Sequence, residues 1–424
     1  MTAQIAIMNK SAIAMASDSA VSMQATSEHT SKIYNTVNKL FALSRHVPVG
    51  IMVYGNSEFL QTPWETIIKL YRQRLGDQTF PTLHDYARNF IEFLFLSNDL
   101  FPSEIRDRSL YFITGNALSA VLNDINGTVY SRFEKQKQVN ESVVKEITAD
   151  ILSAHLHSIY SLPLLPHVHP GTPGEILKNH RSRFEKQIDE IFQKLPLTAL
   201  QRMKLLWICS HIPCRDYFDE HKSGVVISGF GDDDIFPNLY SFTVQGSFRE
   251  LIKYRTDKSG NTSQSVAAAI FPFAQSDMVG EFMEGCHPGQ ISFILQYLGR
   301  ILKDLPGYIL DSAGIDDPDK RESYDAVFSE FTKDIIESFR EDLRSYQKTT
   351  HIDPVIKTVG MLPVDELAAM AGALVNLTRF RQKMSLEAET VGGPIDVAII
   401  TKGDGFVWVN RKQYFSGDLN PHVF

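Results

Sequence analysis

Cysteine is scarce in this chain, and its scarcity limits where the protein can work. Only three cysteines, Cys209, Cys214 and Cys286, occur among 424 residues. They are too few and too scattered to form the disulfide framework of a secreted protein. We therefore expect a reducing compartment, with the cytoplasm as the default location.

The chain also has fewer basic than acidic residues, and it has no long apolar run. Lys and Arg number 42 against 50 Asp and Glu, which gives a net charge of -8 and argues against a nucleic-acid partner. No apolar run approaches the roughly 20 residues of a membrane helix, the segment from Phe90 to Leu96 being far shorter. Because Gln4, Asn9 and Lys10 interrupt the first apolar runs, we expect neither a secretory signal nor a membrane partner.

What is present is typical of a folded protein. Apolar residues make up 43% of the chain and charged residues 22%, which are ordinary values for a soluble globular domain. The length is compatible with several domains or with one domain enlarged by insertions.

Blocks of strand pattern alternate with blocks of helical pattern along the chain. Residues 3–8 and 12–17 form one apolar hairpin pattern, and 40–43 with 49–54 form a second. Strand patterns return at 224–230, 238–244, 266–273, 395–401 and 406–410. Helical periodicity fills most of the intervals, so the pattern predicts an α+β fold with two largely antiparallel sheets between helices.

Thr2, which directly precedes the first apolar hairpin, is a candidate nucleophile. If Met1 is removed, Thr2 bears a hydroxyl and a free α-amine on one residue. An α-amine with an ordinary pKa of about 8 can accept the hydroxyl proton near neutral pH. A terminal threonine therefore supplies a nucleophile and its base without a histidine.

The surrounding motifs resemble those of the proteasome-type N-terminal nucleophile (Ntn) hydrolases, which include proteasome β subunits and simpler bacterial peptidase rings. The separation of Thr2 from Asp18 is similar to that in the family, as is the Ala-Ser-Asp-Ser segment around Asp18. Residues 227–232 and 237–240 look like the later strand pair of the family. Residues 391–396 resemble the Gly-Gly turn before its last strands.

The resemblance implies a four-layer αββα sandwich with two mainly helical insertions. The sandwich core would comprise residues 1–100, 222–285 and 360–424. The helical insertions would be residues 101–221 and 286–359.

The resemblance also implies roles for individual residues. Thr2 would be the nucleophile, and Asp18 would orient a lysine whose charge lowers the proton affinity of the threonine hydroxyl. Lys39 ranks first for that lysine because it directly precedes a strand pair that ends at Gly55, and Lys32 ranks second. The amide of Gly55 would donate to the oxyanion. The expected activity is cleavage of peptide or amide bonds through an acyl-enzyme, without a metal or organic cofactor.

Partners follow from the same resemblance. Family members form rings, so we expect a homo-oligomer that acts on a peptide or amide substrate. An unfoldase or adaptor partner is conceivable, but the sequence does not specify one.

Two departures from the family pattern keep other functions open. Residues 273–275 read Phe-Ala-Gln where the family usually has Gly-Ser-Gly, and Ala388 and Val391 occupy the places of an auxiliary Asp and Ser. Glu389 or Ser276 could substitute for them. A catalytically inactive scaffold or binding subunit is therefore one alternative, and a non-peptide amidase on the same fold is another.

Other patterns in the chain have structural interpretations. The two His-x-His pairs (His155, His157, His167 and His169) flank a Pro-rich turn without nearby carboxylates or cysteines, and we interpret them as surface histidines rather than metal ligands. The cluster between Cys209 and Cys214 is interpreted as a half-buried helix end. Asp232–Asp234 lacks the spacing of a calcium loop and predicts a tight turn.

Overall fold

The computed structural model describes residues 2–23, 32–44, 46–137, 140–193, 195–248, 251–315, 317–384 and 391–413. Five side chains inside these ranges lie outside the description, namely those of residues 22, 23, 32, 33 and 136.

Fourteen strands and eleven α-helices alternate in blocks through the described chain. The strands are β1 Ala3–Asn9, β2 Ala12–Ser17, β3 Val21–Met23, β4 Lys32–Tyr34, β5 Leu40–Ala42, β6 Val49–Gly55, β7 Glu58–Phe59, β8 Thr62–Pro63, β9 Ser223–Gly229, β10 Asn238–Phe248, β11 Leu251–Asn261, β12 Ala268–Ala274, β13 Asp396–Thr401 and β14 Gly405–Asn410. The helices are α1 Trp64–Leu75, α2 Leu83–Leu96, α3 Ser103–Gln136, α4 Glu141–Ser161, α5 Thr172–Phe192, α6 Ala199–His211, α7 Asp277–Glu284, α8 Pro288–Ser312, α9 Pro318–Gln347, α10 Asp353–Val359 and α11 Val364–Lys383.

Two five-stranded sheets form the centre of the protein. The first has the strand order β12-β1-β2-β13-β14, and the second has the order β11-β10-β9-β6-β5. Every pairing between neighbouring strands in both sheets is antiparallel. The mixed α+β composition predicted from the sequence is confirmed, as is the opening hairpin of β1 and β2.

Strands β1 and β2 are buried on both faces, which explains their small apolar residues. Ile5 and Ala14 belong to a core cluster with Leu367 of α11. The alternate residues Ala6 and Met15 belong to a different cluster, which includes residues of the second sheet. Side chains alternate across a strand, so one face of the hairpin packs on α11 and the other on the second sheet.

The second sheet is covered on its other face by α1 and α2. Ile51 of β6 and Val225 of β9 share a core cluster with Ile67 of α1 and Phe90 of α2. Helix α2 begins at a well-formed N-cap, because the side chain of Thr82 accepts a hydrogen bond from the amide of Asp85. Helices α1 and α2 therefore pack on the second sheet, as α11 packs on the first.

Helices α3 to α6 have a core of their own. Phe184 of α5 and Leu205 of α6 are fully buried there, and Phe248 at the end of β10 joins the same cluster. The motif Ser-Arg-Phe-Glu-Lys-Gln occurs twice in the sequence, at 131–136 in α3 and at 182–187 in α5. The two copies have different environments, because Phe133 is 48% exposed whereas Phe184 is 0% exposed.

Three predictions from the sequence were wrong or incomplete. Strand β11 was missed, because its second half is polar and exposed. The helical periodicity from about 276 to 304 predicts one helical stretch, but the structure interrupts it at Gly285, which ends α7 in a left-handed conformation. Cys209 and Cys214 are both fully buried rather than half-buried.

Candidate active site

The β1–β2 hairpin brings Thr2 and Asp18 together at its open end. Gln4 pairs with Ser17 in the ladder, so the residues preceding β1 lie beside those that follow β2. The amide of Asp18 donates to the carbonyl of Ala3 at 3.1 Å, and the amide of Ala3 donates to Asp18 Oδ1 at 3.2 Å. Residues far apart in sequence therefore meet because an antiparallel hairpin returns to its starting point.

The carboxylate of Asp18 is held on both of its oxygens. In addition to the bond from Ala3, Oδ2 accepts from the amides of Ala20 and Gly392, each at 3.2 Å. The side chain is completely buried. A carboxylate with several N–H donors has its orientation fixed before any ligand arrives.

Lys39 connects the carboxylate to the threonine. Its Nζ donates to Thr2 Oγ1 at 2.8 Å, to Asp18 Oδ1 at 2.9 Å and to the carbonyl of Ala20 at 2.5 Å. These three bonds use all the donors of an ammonium group. The residue is 4% exposed, and its own carbonyl accepts from the amide of Val53, which ties it to β6.

Burial changes the proton affinity of Lys39. Loss of solvent lowers the pKa of Lys39 below its ordinary value, while the neighbouring Asp18 carboxylate acts in the opposite direction. The positive charge of Lys412 lowers the same pKa further. Burial thus favours loss of the Lys39 proton, whereas the Asp18 carboxylate favours the cation, whose charge in a dry site acts strongly on the oxygen of Thr2.

The sequence analysis missed an ion pair beside this group. Lys412 bonds to the carboxylate of Asp396, which also accepts from the backbone amide of Lys412 at 2.9 Å. Asp396 pairs with Ser17 in the ladder, immediately next to Asp18. Its position at the start of the last strand pair after the Gly-Gly turn was a signal that could have identified it.

Gly55 ends β6 with a positive φ of 80°. A Cβ at this position would lie 2.5 Å from the carbonyl oxygen of Lys222, so only glycine fits without displacing the backbone. Gly55 and Thr2 line the same pocket. The structure thus brings Thr2, Asp18 and Lys39 into hydrogen-bond contact, with Gly55 across the pocket.

The pocket beside Thr2 has a volume of about 210 Å³. Its apolar lining includes Val37 and Trp64, and its polar lining includes Asn38, Glu58 and Glu65. Glu65 accepts from the side-chain amide of Asn38 at 3.3 Å. The sequence analysis did not identify these two glutamates, because they fall in the polar segment that surrounds the short strands β7 and β8.

The remaining candidates are placed differently. Lys32 forms the start of β4, opposite Met23, and its side chain lies outside the described residues, as do Ala388 and Glu389 entirely. Gln275 is close to the site, since its amide donates to the carbonyl of Thr2 at 3.0 Å. The preceding Ala274 has a φ of 61°, an uncommon conformation for a residue with a Cβ.

Ser276 and Val391 are sequence neighbours of Gln275 and Gly392, which belong to the site. Ser276 stands at the N-terminus of α7. In the described structure neither its hydroxyl nor Val391 makes a hydrogen bond to the threonine. Val391 is buried in the core between the first sheet and α11.

The histidines, cysteines and aspartates that resemble metal ligands have other contacts. His155 pairs with Asp124 at 2.7 Å, and His167 contacts the carbonyl of Ile252 at 2.8 Å. Burial raises the pKa values of Cys209 and Cys214 to about 12. Within the described ranges, no group of three or more His, Cys, Asp or Glu side chains could hold a metal ion.

The Asp232–Asp234 segment has a structural role at the start of α2. Asp234 accepts from the amides of Leu83 and Gly231 at 2.7 and 2.8 Å. A carboxylate that bonds a helix N-terminal amide is stabilised there by the helix dipole.

Among the helices of the described chain, none combines the length and apolarity required to cross a membrane.

Comparisons with known proteins add little to this geometry. No family model matches the chain, and no curated protein matches it. Among solved structures, the chain is similar to the Anbu (Gly-1) mutant from Hyphomicrobium sp. strain MC1, with 9% sequence identity and a TM-score of 0.28. The alignment covers 97% of this chain and 86% of that one.

Proposed function

We propose that this protein is a threonine-type Ntn hydrolase, which cleaves peptide or amide bonds through an acyl-enzyme on Thr2 after removal of Met1. The observation that carries the proposal is the position of the Lys39 ammonium, which bonds both Thr2 Oγ1 and Asp18 Oδ1 in a buried site. A surface threonine or a structural ion pair alone would not require this three-way contact.

In the proposed reaction, Thr2 Oγ1 attacks the carbonyl carbon of the substrate and its proton passes to the α-amine of the same residue. The tetrahedral intermediate collapses as the C–N bond breaks and the leaving amine takes up that proton. An ester joins the acyl group to Thr2. Water then attacks this ester with the α-amine again acting as base, which releases the acid and restores the threonine.

Lys39 and Gly55 have electrostatic roles in this scheme. The cation beside Oγ1 favours the alkoxide character that develops as the proton leaves. The amide of Gly55 donates to the oxyanion that forms on the substrate carbonyl. Asp18, fixed by backbone amides, holds the lysine at the required position.

The substrate side chain would occupy the pocket beside Thr2. Its volume of about 210 Å³ suits one side chain rather than a bulky ligand. Glu58 makes its polar edge acidic, which favours a cationic group on the substrate, whereas the carboxylate of Glu65 pairs with Lys69 at 2.7 Å. We propose a peptide or other amide with such a group next to the bond that is cleaved.

We also propose the family assignment and organisation that the motifs imply. The chain would be an αββα sandwich of the proteasome type, with its core in residues 1–100, 222–285 and 360–424. Residues 101–221 and 286–359 would be helical insertions. The protein would act in the cytoplasm as a homo-oligomer without a cofactor.

A catalytically inactive binding subunit is a second candidate, and one observation favours it. Ala274 and Gln275 stand beside Thr2 where the family pattern places Gly-Ser-Gly, and Ala274 adopts a left-handed conformation there. The auxiliary serine of that pattern would thus be missing from the wall of the site. Such a subunit would keep the pocket but lack turnover.

Mass spectrometry of the intact protein, followed by labelling, separates these candidates. We expect a mass lower than that of the full chain by one methionine, and addition of one epoxyketone or β-lactone probe on Thr2. Thr2→Ala should abolish turnover of mixed amide substrates, whereas Thr2→Ser should retain part of it. Retained Met1, or equal activity of Thr2→Ala and wild type, would refute the mechanism.

A further inference from the structure

Helices α8 and α9 form a long hairpin that is anchored at its base. The side chain of Gln347 at the end of α9 donates to the carbonyl of Glu284 at 3.3 Å. Gly285, just before α8, approaches the ring of His351 so closely that a Cβ would lie 2.6 Å from it. In the described chain, none of the four hydrophobic core clusters includes a residue of α8 or α9.

Helix α8 uses one face to pack against α9. A Cβ on Gly299 would lie 3.6 Å from the side chain of Ile336, and the hydroxyl of Thr332 donates to the carbonyl of Leu302 at 3.4 Å. Small and aliphatic residues on this side allow the two helices to approach closely.

A second apolar face of α8 has no partner within the described structure. Five large side chains on this face are between 43 and 71% exposed. They are Ile294, Tyr297, Ile301, Leu305 and Tyr308. We call these five residues the α8 stripe. Their intervals of three and four residues place them in one line along the helix.

The order of the α8 stripe is symmetric about its centre. Tyr297 and Leu305 each lie four residues from Ile301, and Ile294 and Tyr308 each lie seven residues from it. If two copies of the helix run antiparallel across a two-fold axis at Ile301, Tyr297 meets Leu305 of the second copy. Ile294 then meets Tyr308 of the second copy, so each aromatic ring faces an aliphatic side chain.

We propose that the α8 stripe is a homodimer interface, in which the α8 helices of two copies of this chain pair antiparallel about Ile301. A two-fold interface must be self-complementary, and the symmetric spacing of the stripe satisfies that condition. An unrelated partner would not require such symmetry. The interface does not depend on the proposed hydrolase activity.

Charge on the edge of the stripe fits the same pairing. Arg300 and Asp304 lie one turn apart on the same flank of α8. The two-fold axis brings this flank of one copy beside the same flank of the other. Arg300 of the second copy is then about 3 Å from Asp304 along the helix axis, by the rise of 1.5 Å per residue.

The area available is adequate for a dimer. Phe293 and Ile309 extend the stripe at its two ends and are 67 and 43% exposed. Three aromatic side chains of roughly 150–250 Å² each and four smaller aliphatic ones, about half exposed, offer on the order of 600 Å² per copy. That value is at the upper end of the largest apolar patches of monomers and approaches the roughly 800 Å² per partner of a standard interface.

Sedimentation analysis of the full chain tests the interface. We expect the mass of the wild type in solution to be an even multiple of 47.9 kDa, the mass of one chain. Ile301→Glu should halve that mass, because it places two carboxylates together on the axis. Gln296→Glu adds the same charge on a polar side of α8 and should leave the mass unchanged. Circular dichroism and a thermal melt establish that both variants are folded.

Cysteine cross-linking tests the antiparallel direction without disrupting the interface. In a Cys286→Ser background, a mixture of Ile294→Cys and Tyr308→Cys proteins should form a disulfide-linked dimer under mild oxidation, while each protein alone should not. Ile301→Cys alone should cross-link, and Gln296→Cys should not.

Three outcomes would overturn the proposal. A monomeric wild type at all concentrations would exclude the dimer. An unchanged mass for folded Ile301→Glu would place the interface elsewhere. Cross-linking of Ile294→Cys with itself would indicate parallel helices. Because activity is not measured, none of these outcomes bears on the role of Thr2.

Discussion

The ammonium of Lys39 lies 2.9 Å from the carboxylate of Asp18, and both side chains are almost completely removed from solvent. A buried ion pair contributes little net stability, because desolvation of both charges offsets their attraction. Here the lysine also bonds the hydroxyl of Thr2. The consequence of the pair for the protein therefore lies in its contact with Thr2.

Lys39→Met should lower kcat for amide substrates by roughly 100- to 1,000-fold, the range typical for loss of one preorganised donor. The cation that favours the alkoxide on Thr2 would be absent, while the pocket would keep its shape. Steady-state kinetics with a fluorogenic amide measures the effect. Lys10→Met, at the opposite end of the hairpin, is the matched control and should have wild-type activity. Loss of turnover in Lys32→Ala with retention in Lys39→Met would reverse the assignment.

Gly55→Ala should destabilise the protein by about 1–3 kcal/mol, the cost of a left-handed residue with a Cβ. The added methyl also collides with the carbonyl of Lys222 and should displace the amide proposed to bind the oxyanion. Chemical denaturation and kcat would report the two effects. Gly403→Ala adds the same methyl to a turn with open space around it and should change neither quantity. Full activity in a folded Gly55→Ala protein would exclude the oxyanion role.

Lys253 should make stability rise with pH above neutrality. It is fully buried in β11 and donates to the carbonyl of Ile212 at 2.8 Å. Burial lowers the pKa of Lys253 from 10.5 to about 7, against the opposing attraction of nearby Asp219. Between about pH 7 and 10.5 the unfolded chain binds a proton that the folded chain does not, so the free energy of unfolding increases with pH.

Urea denaturation at pH 7, 8 and 9 measures this dependence. Lys253→Met should reduce the slope by up to about 1.4 kcal/mol per pH unit. Lys258→Met, an exposed lysine on the same strand, should leave it unchanged. Equal slopes for wild type and Lys253→Met would contradict the prediction.

Glu58→Lys should alter substrate preference at the pocket beside Thr2. The substitution removes an attraction of about 1 kcal/mol at contact distance in water and adds a repulsion of about the same size, so we expect a fall of roughly 30-fold in kcat/KM for a cationic amide substrate. The neutral analogue should be affected less, and added salt should reduce the difference. Glu134→Lys makes the same charge change on exposed α3 and serves as the control. An equal effect on both substrates would argue against charge recognition.

Parts of the candidate site could be anticipated from the sequence because they depend on local order. Thr2 and Asp18 flank one hairpin, and the antiparallel register alone makes them neighbours. Lys39 was favoured over Lys32 because it directly precedes β5 and β6, and the structure places its ammonium against Thr2 and Asp18. That ranking remains a proposal about catalysis until the variants are measured.

Other parts of the site depend on contacts between distant segments. The Gly392 amide reaches Asp18 across 374 residues of sequence, and the Asp396–Lys412 pair lies beside them only because β13 pairs with β2. No local pattern encodes that adjacency. The acidic edge of the pocket, formed by Glu58 of β7 and Glu65 of α1, was likewise visible only when these two elements were placed beside Thr2.

The sequence by itself determined that blocks of strands alternate with blocks of helices and that a hairpin lies near its start, because side-chain periodicity and turn residues act over short distances. Only the tertiary structure decided how the two sheets pair, which lysine meets Thr2, and which apolar face of α8 is left uncovered. Periodicity shows that a helix face is apolar, but it does not show what covers that face. That depends on packing between segments far apart in the chain.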